Sequence, residues 1–134
     1  MGKFDWLPEE YRPMESEHVE HQCVYRATKS TDILKVEDFL PSAIETPYLL
    51  ETFGKLVNKQ ELYGVSLFTD LDALKEMLKK KVSLDRKINS FSKGFTTITR
   101  GISTKANSHC HLEYYLYDYE NNNPKDDFEI IEVR

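Results

Sequence analysis

The chain is poor in the features that mark specialised protein classes. It has only two cysteines in 134 residues, Cys23 and Cys110. So far apart in sequence, they cannot form a Cys-x-x-Cys redox or zinc unit, and no disulfide framework follows from them. Five glycines and five prolines exclude a collagen-like or wholly disordered chain. No apolar run approaches the roughly 20 residues needed to cross a bilayer, so no membrane partner is expected. The opening MGKFDWLPEEYRPMESEHVE has no apolar stretch behind a basic start, and no secretory signal is read there. Trp6 stands where a myristoylation motif needs Ser or Thr. Reduced thiols in a cytoplasmic protein are the resulting expectation. Positive charge is not in excess either. Lys and Arg number 18 against 23 Asp and Glu, a net of −5, which is the wrong sign for a general nucleic-acid coat. Repeats, low-complexity tracts and internal linkers are absent.

What is present is the profile of an ordinary globular domain, 40% hydrophobic and 31% charged, at a length that suits one domain. Residues 1–20 set Lys3 and Arg12 against Asp5, Glu9, Glu10, Glu15, Glu17 and Glu20. They read as an acidic, irregular arm pinned by Phe4, Trp6 and Leu7. Residues 21–134 read as the domain itself. A strand is expected over 22–28, with Cys23, Tyr25 and Ala27 on one face and Val24 and Arg26 on the other. The stretch up to Pro41 reads as a loop with a short helical turn.

Leu49, Leu50, Phe53, Leu56 and Val57 recur at helical spacing from Pro47 to Lys59. Tyr63 to Phe68 has strand length, and Thr69 or Asp70 then caps a helix carrying Leu71, Leu74, Met77 and Leu78 on one side. Later strands are read at Phe95 to Ser103, His111 to Tyr117 and Phe128 to Val133. The last two are joined by the polar turn 121–127, and loop length suggests a hairpin. The expected fold is a single small α+β domain, its sheet mixed or mostly antiparallel, with about two helices. Val24, Leu50, Phe53, Val65, Leu67, Leu74, Leu78, Ile98, Leu112, Leu116 and Ile130 are its expected core.

Charge is unevenly spread. Between Lys75 and Lys105 nine basic side chains, Arg100 among them, face only Glu76 and Asp85, so this segment is +7 within an acidic chain. Such asymmetry can focus an anionic small molecule or an acidic protein surface; a solvated lysine face on a helix is the plainer reading. A second cluster, Ser108-His109-Cys110-His111-Leu112-Glu113, puts His109, His111, Glu113, Tyr115 and Tyr117 on one face at period two. Imidazole and carboxylate suit iron, nickel or zinc, with His18, His21 and Cys23 as further candidates. The preferred reading is a half-buried polar strand face without a metal.

A third pattern runs through the whole chain. Tyr25-Arg26 ends the first strand, Gly64-Val65-Ser66-Leu67-Phe68 leads into a helix, and a late strand brings Glu113. This order resembles the ADP-ribosyltransferase superfamily, with Leu67-Phe68 where Arg-type members continue a Ser-Thr-Ser triplet. The resemblance implies an NAD-binding pocket. In it Arg26 would hold the phosphate or ribose side, Ser66 would buttress the pocket, and Glu113 would bind the ribose 2′-hydroxyl and stabilise an oxocarbenium-like transition state. Glu113 and Ser66 are thus the candidate catalytic residues, and Arg26 and Arg100 the candidate cofactor-binding ones. The landmarks YR, DFLPS, GVSLF and SHCH are also similar to those of small bacterial proteins of unassigned function. The other reading is a non-catalytic interaction module, such as an immunity, antitoxin or phage-accessory protein, whose eight Tyr and seven Phe suit a contact surface.

Overall fold

Alternating apolar and polar side chains specify most of the strands, and a computed structural model describing residues 3–47 and 59–134 establishes their pairing. Six strands, β1 (Cys23–Thr28), β2 (Val65–Phe68), β3 (Ser90–Phe95), β4 (Gly101–Ser103), β5 (His111–Leu116) and β6 (Phe128–Val133), lie in the order β4-β5-β2-β1-β3-β6. All neighbours are antiparallel, so the chain is an α+β domain with an antiparallel sheet. The ladders are unequal. β1 pairs with β3 along its whole length, from Cys23↔Phe95 to Thr28↔Ser90, and β2 does the same with β5. Between β1 and β2 the register has a single pair, Tyr25↔Phe68. Two three-stranded halves therefore meet at a narrow seam.

Three α-helical segments are described: α1 (Ser42–Glu45), α2 (Leu71–Lys79) and α3 (Val82–Asp85). Asp70 caps α2, its side chain accepting from the Ala73 N–H at 3.1 Å, an arrangement that contributes about 1 kcal/mol. The helix buries Leu74 and Leu78 against Phe68, Ile88 and Phe91 on one side of the sheet. Each buried leucine stabilises by roughly 1.5–3 kcal/mol. Val24, Val65, Leu67, Leu112 and Leu116 form a second cluster with Phe39 and Phe128. The arm packs on the domain through Leu7, which is buried, and through Trp6, whose indole N–H donates to the Leu116 carbonyl at 2.8 Å. Among the described residues no helix is long and apolar enough to cross a membrane. Residues 48–58 of the helix expected over 47–59, Leu50 and Phe53 among them, lie outside the described residues.

Three expectations need correction. Of the strand read at 95–103 only Phe95, the last residue of β3, and Gly101–Ser103, which form β4, are in the sheet; between them lies a turn in which Arg100 and Gly101 both donate to the Thr97 carbonyl. Tyr114 pins that turn: its hydroxyl accepts from the Thr97 N–H at 2.9 Å and donates to the Thr97 carbonyl at 3.0 Å. Burial pushes this hydroxyl up to about 12, so it remains a donor. Nor do the last two strands form a hairpin. β5 sits between β4 and β2, whereas β6 pairs with β3 at the far edge. Phe128 decides this, packing on Phe39 with ring centroids 4.8 Å apart and lying over Gly94, where a Cβ would stand 2.5 Å from its Cγ. Finally, Ile98 and Ile130 are only half-buried, one in the turn and the other on an edge strand.

Candidate functional site

Where β1 and β2 part, the molecule opens into a cleft of about 770 Å³. Arg26 stands at the seam. Its Nη1 donates to the Ser66 carbonyl at 2.9 Å and its Nε to the Asp38 carbonyl at 3.0 Å. A side chain thus supplies bonds that the backbone ladder does not continue here. Burial pulls the guanidinium below its ordinary value, while Glu45, Glu113 and Asp38 oppose the shift. Of its five N–H donors, those on Nη2 have no acceptor among the described residues.

Asp38 shapes the wall behind Arg26. One carboxylate oxygen accepts from the Lys29 and Ser30 N–H groups at 2.8 and 3.1 Å, and the other from the Ser30 hydroxyl and Lys35 N–H at 2.6 and 2.9 Å. Burial acts to raise this carboxyl, but the four bonds outweigh it and hold it below the ordinary range. Asp38 is therefore a structural anchor that aims its own carbonyl at Arg26.

Glu113 is only 8% exposed. Its Oε1 lies 3.2 Å from His111 Nε2, and Oε2 has no partner among the described residues. Burial pushes the carboxyl above its usual range, His111 and Arg26 pull it back, and Glu61 adds to the rise. His111 Nε2 is also 2.5 Å from Ser66 Oγ. The ladder imposes this meeting, because β2–β5 register places Ser66 opposite Glu113 and Phe68 opposite His111. Gly64 makes room: a Cβ there would stand 2.6 Å from Glu113 Oε2 and 2.8 Å from its Cβ.

The rest of the cleft divides in two. Phe68, Leu74, Met77, Leu84 and Ile88 furnish an apolar wall, and Lys29, Glu45, Glu61 and Lys81 stand among its polar side chains. Lys29 pairs with Glu45 at 2.9 Å.

Three of the four residues selected from sequence, Arg26, Ser66 and Glu113, line this cleft. Arg100 is not among its lining residues: its Nε donates to Asp127 Oδ2 at 2.9 Å and its Nη1 to Asn122 Oδ1 at 2.8 Å, fastening the 97–100 turn. The +7 segment does not ring the cleft either, since of its bases only Lys81 is among the lining residues, while Lys75 and Lys79 pair with Glu132 and Glu76. His109 falls in the turn before β5, next to Cys110 at φ 63°, so it does not continue the row of His111 and Glu113. His18 lies apart, accepting from the Ser103 N–H. No group of three or more His, Cys, Asp or Glu side chains suited to a metal ion occurs among the described residues.

Sequence reasoning did not place Gly64, Glu61 or Asp38 in the site, and took His111 only as a metal candidate. A glycine directly before a buried strand is a signal of close approach that could have found Gly64. No known protein-family model matches this chain, nor does any curated protein or any solved structure.

Proposed function

We propose that the cleft is a nucleotide site of the ADP-ribosyltransferase type, with NAD as its dinucleotide. The observation that carries this reading is the convergence of Arg26, Ser66 and Glu113, from three different strands, on one cleft. It is joined by the buried Oε2 of Glu113, which has no partner among the described residues. A ribose hydroxyl would supply the missing donor. The Nη2 donors of Arg26 would meet the phosphate or ribose side, and the apolar wall would take a planar base. In the transfer step the bond from ribose C1′ to the nicotinamide nitrogen breaks, nicotinamide leaves with the electron pair, and an acceptor nucleophile bonds to C1′. Glu113 contributes most in the transition state, where positive charge develops on the ribose. The free thiols of Cys23 and Cys110 suit the cytoplasmic setting that belongs to the same proposal.

Titration calorimetry with NAD at low and then moderate salt tests the reading, because screening weakens attraction owed to surface charge alone. Saturable binding is expected at both. Glu113→Gln should bind nearly as well and lose turnover, whereas Arg26→Lys, which keeps the charge but not the forked donors, should bind more weakly. Absence of binding at millimolar NAD would overturn the proposal and leave the interaction module.

A further inference from the structure

His111 belongs to the cleft but has no role in the proposed reaction as described so far. Its Nε2 is shared between Glu113 Oε1 at 3.2 Å and Ser66 Oγ at 2.5 Å. One ring nitrogen carries one proton at most, so the three groups are geometrically coupled. With the proton on Nε2, the imidazole donates toward both oxygens, and Oε1 of Glu113 is held. The remaining oxygen, Oε2, is buried and has no partner among the described residues. The absence of a side chain at Gly64 leaves room for Oε2, which a Cβ there would meet at 2.6 Å. His111 is in turn braced by the Phe68 ring, with centroids 5.0 Å apart.

We infer that His111 is the positioning residue of the cleft: it clamps Oε1 of Glu113 and the Ser66 hydroxyl and so holds the carboxylate in one orientation at the cleft. The inference rests on the NAD reading for its consequence in catalysis, but the clamp itself does not. Other charged groups around the carboxylate are Arg26 from β1, which favours its ionised form, and Glu61 from the turn preceding β2, which opposes it. Glu45 on α1 and Asp38 act on Arg26. Tyr115, on β5 with Glu113, has its hydroxyl pushed up by burial and by the Glu113 charge, and so stays neutral. His111 is the one neighbour named here that bonds the carboxylate directly.

The experiment uses the full chain with His111→Gln, which keeps a neutral amide donor, and His111→Asn as a second variant in case the first does not fold. NAD hydrolysis is followed with water as the acceptor: water oxygen bonds to C1′, nicotinamide departs, and one proton is released. The expected result is a kcat lowered about tenfold with KM within about twofold, since the clamp acts on the transition state more than on ground-state binding. The acidic limb of the pH profile should also move upward, because His111, through its hydrogen bond first and its coulombic effect second, pulls the Glu113 carboxyl down. A folded variant with unchanged kcat and unchanged limb overturns the inference. Carbon-detected NMR titration of the Glu113 carboxyl, in the wild-type protein and in the variant, needs no ligand. A higher midpoint in the variant supports the clamp, and identical midpoints refute it. If the wild-type chain neither binds nor hydrolyses NAD, the functional reading fails, and this titration still decides the clamp.

Discussion

Replacing Glu113 by Gln should make the protein more stable at neutral pH. Glu113 is 8% exposed, burial pushes its carboxyl above the usual range, and one oxygen lacks a partner among the described residues. In the unfolded chain a glutamate titrates near about 4.3. A group whose folded value is raised above that favours the fold only while protonated. Its contribution falls as pH rises through the window between the two values, and at pH 7 the ionised form carries a cost. Burying an ionised carboxylate costs more than burying a neutral amide of the same shape, and His111 and Arg26 offset part of that cost. A neutral Gln of nearly the same shape should therefore recover about 1–2 kcal/mol at pH 7. For a domain of this size that corresponds to a Tm higher by about 4–8 °C. Below about pH 4, where both side chains are neutral, the two proteins should melt together. Differential scanning calorimetry at pH 7.5 and pH 3.5 is the assay. A Gln variant that melts below the wild type at pH 7.5 would refute the reasoning, since it would mean that His111 and Arg26 more than compensate the buried charge.

Other outcomes follow from the same geometry. Asp38→Ala should cost about 2–4 kcal/mol by urea unfolding at pH 7, because it strands three backbone N–H groups and a hydroxyl. Since its folded value is depressed, that loss should shrink as pH falls through the carboxyl's folded titration. Gly64→Ala should cost about 1–3 kcal/mol through overpacking and also weaken ligand binding, because its Cβ would press on the Glu113 carboxylate; wild-type melting and binding together would contradict the packing. Arg100→Ala should leave NAD binding unchanged in calorimetry and lower stability by about 1 kcal/mol, as its partners are Asp127 and Asn122 rather than the cleft.

The legible parts of the fold were those where local chemistry and tertiary packing agree. β1, β2, β5 and β6 alternate or run apolar, and Asp70 before Leu71 is a helix start that the structure keeps. β3 was illegible because it buries hydroxyls where a strand normally buries hydrocarbon: Ser90 and Ser92 bond to Thr28 at 2.6 and 2.9 Å. A Ser-rich segment has no hydrophobic period to find. The β5–β6 pairing was misread since adjacency in sequence is the default, and nothing near 121–127 advertises the Phe39–Phe128 contact that overrides it. At the site, Arg26, Ser66 and Glu113 were singled out by the order of motifs along the chain that resembles the ADP-ribosyltransferase superfamily, and the three line one cleft. The part played by His111 depends on which residue faces which across β2 and β5, a matter of register that no single segment encodes.

The narrow seam has a consequence for how the cleft comes into being. Its side chains hang on three neighbouring strands contributed by residues 26, 66 and 111–113, so the bonds that join Arg26 to Ser66 and Ser66 to His111 each span at least 40 residues of chain. Contacts this distant in sequence are slow to form and are lost together. A proteolytic fragment ending before β5 would hold Arg26 and Ser66 without His111 or Glu113, and one starting after β1 would lack the arginine. Ligand capacity should accordingly recover during refolding only with the slowest cooperative phase, never in an earlier step, and binding by this chain would serve as a direct measure of how much of it has completed the sheet.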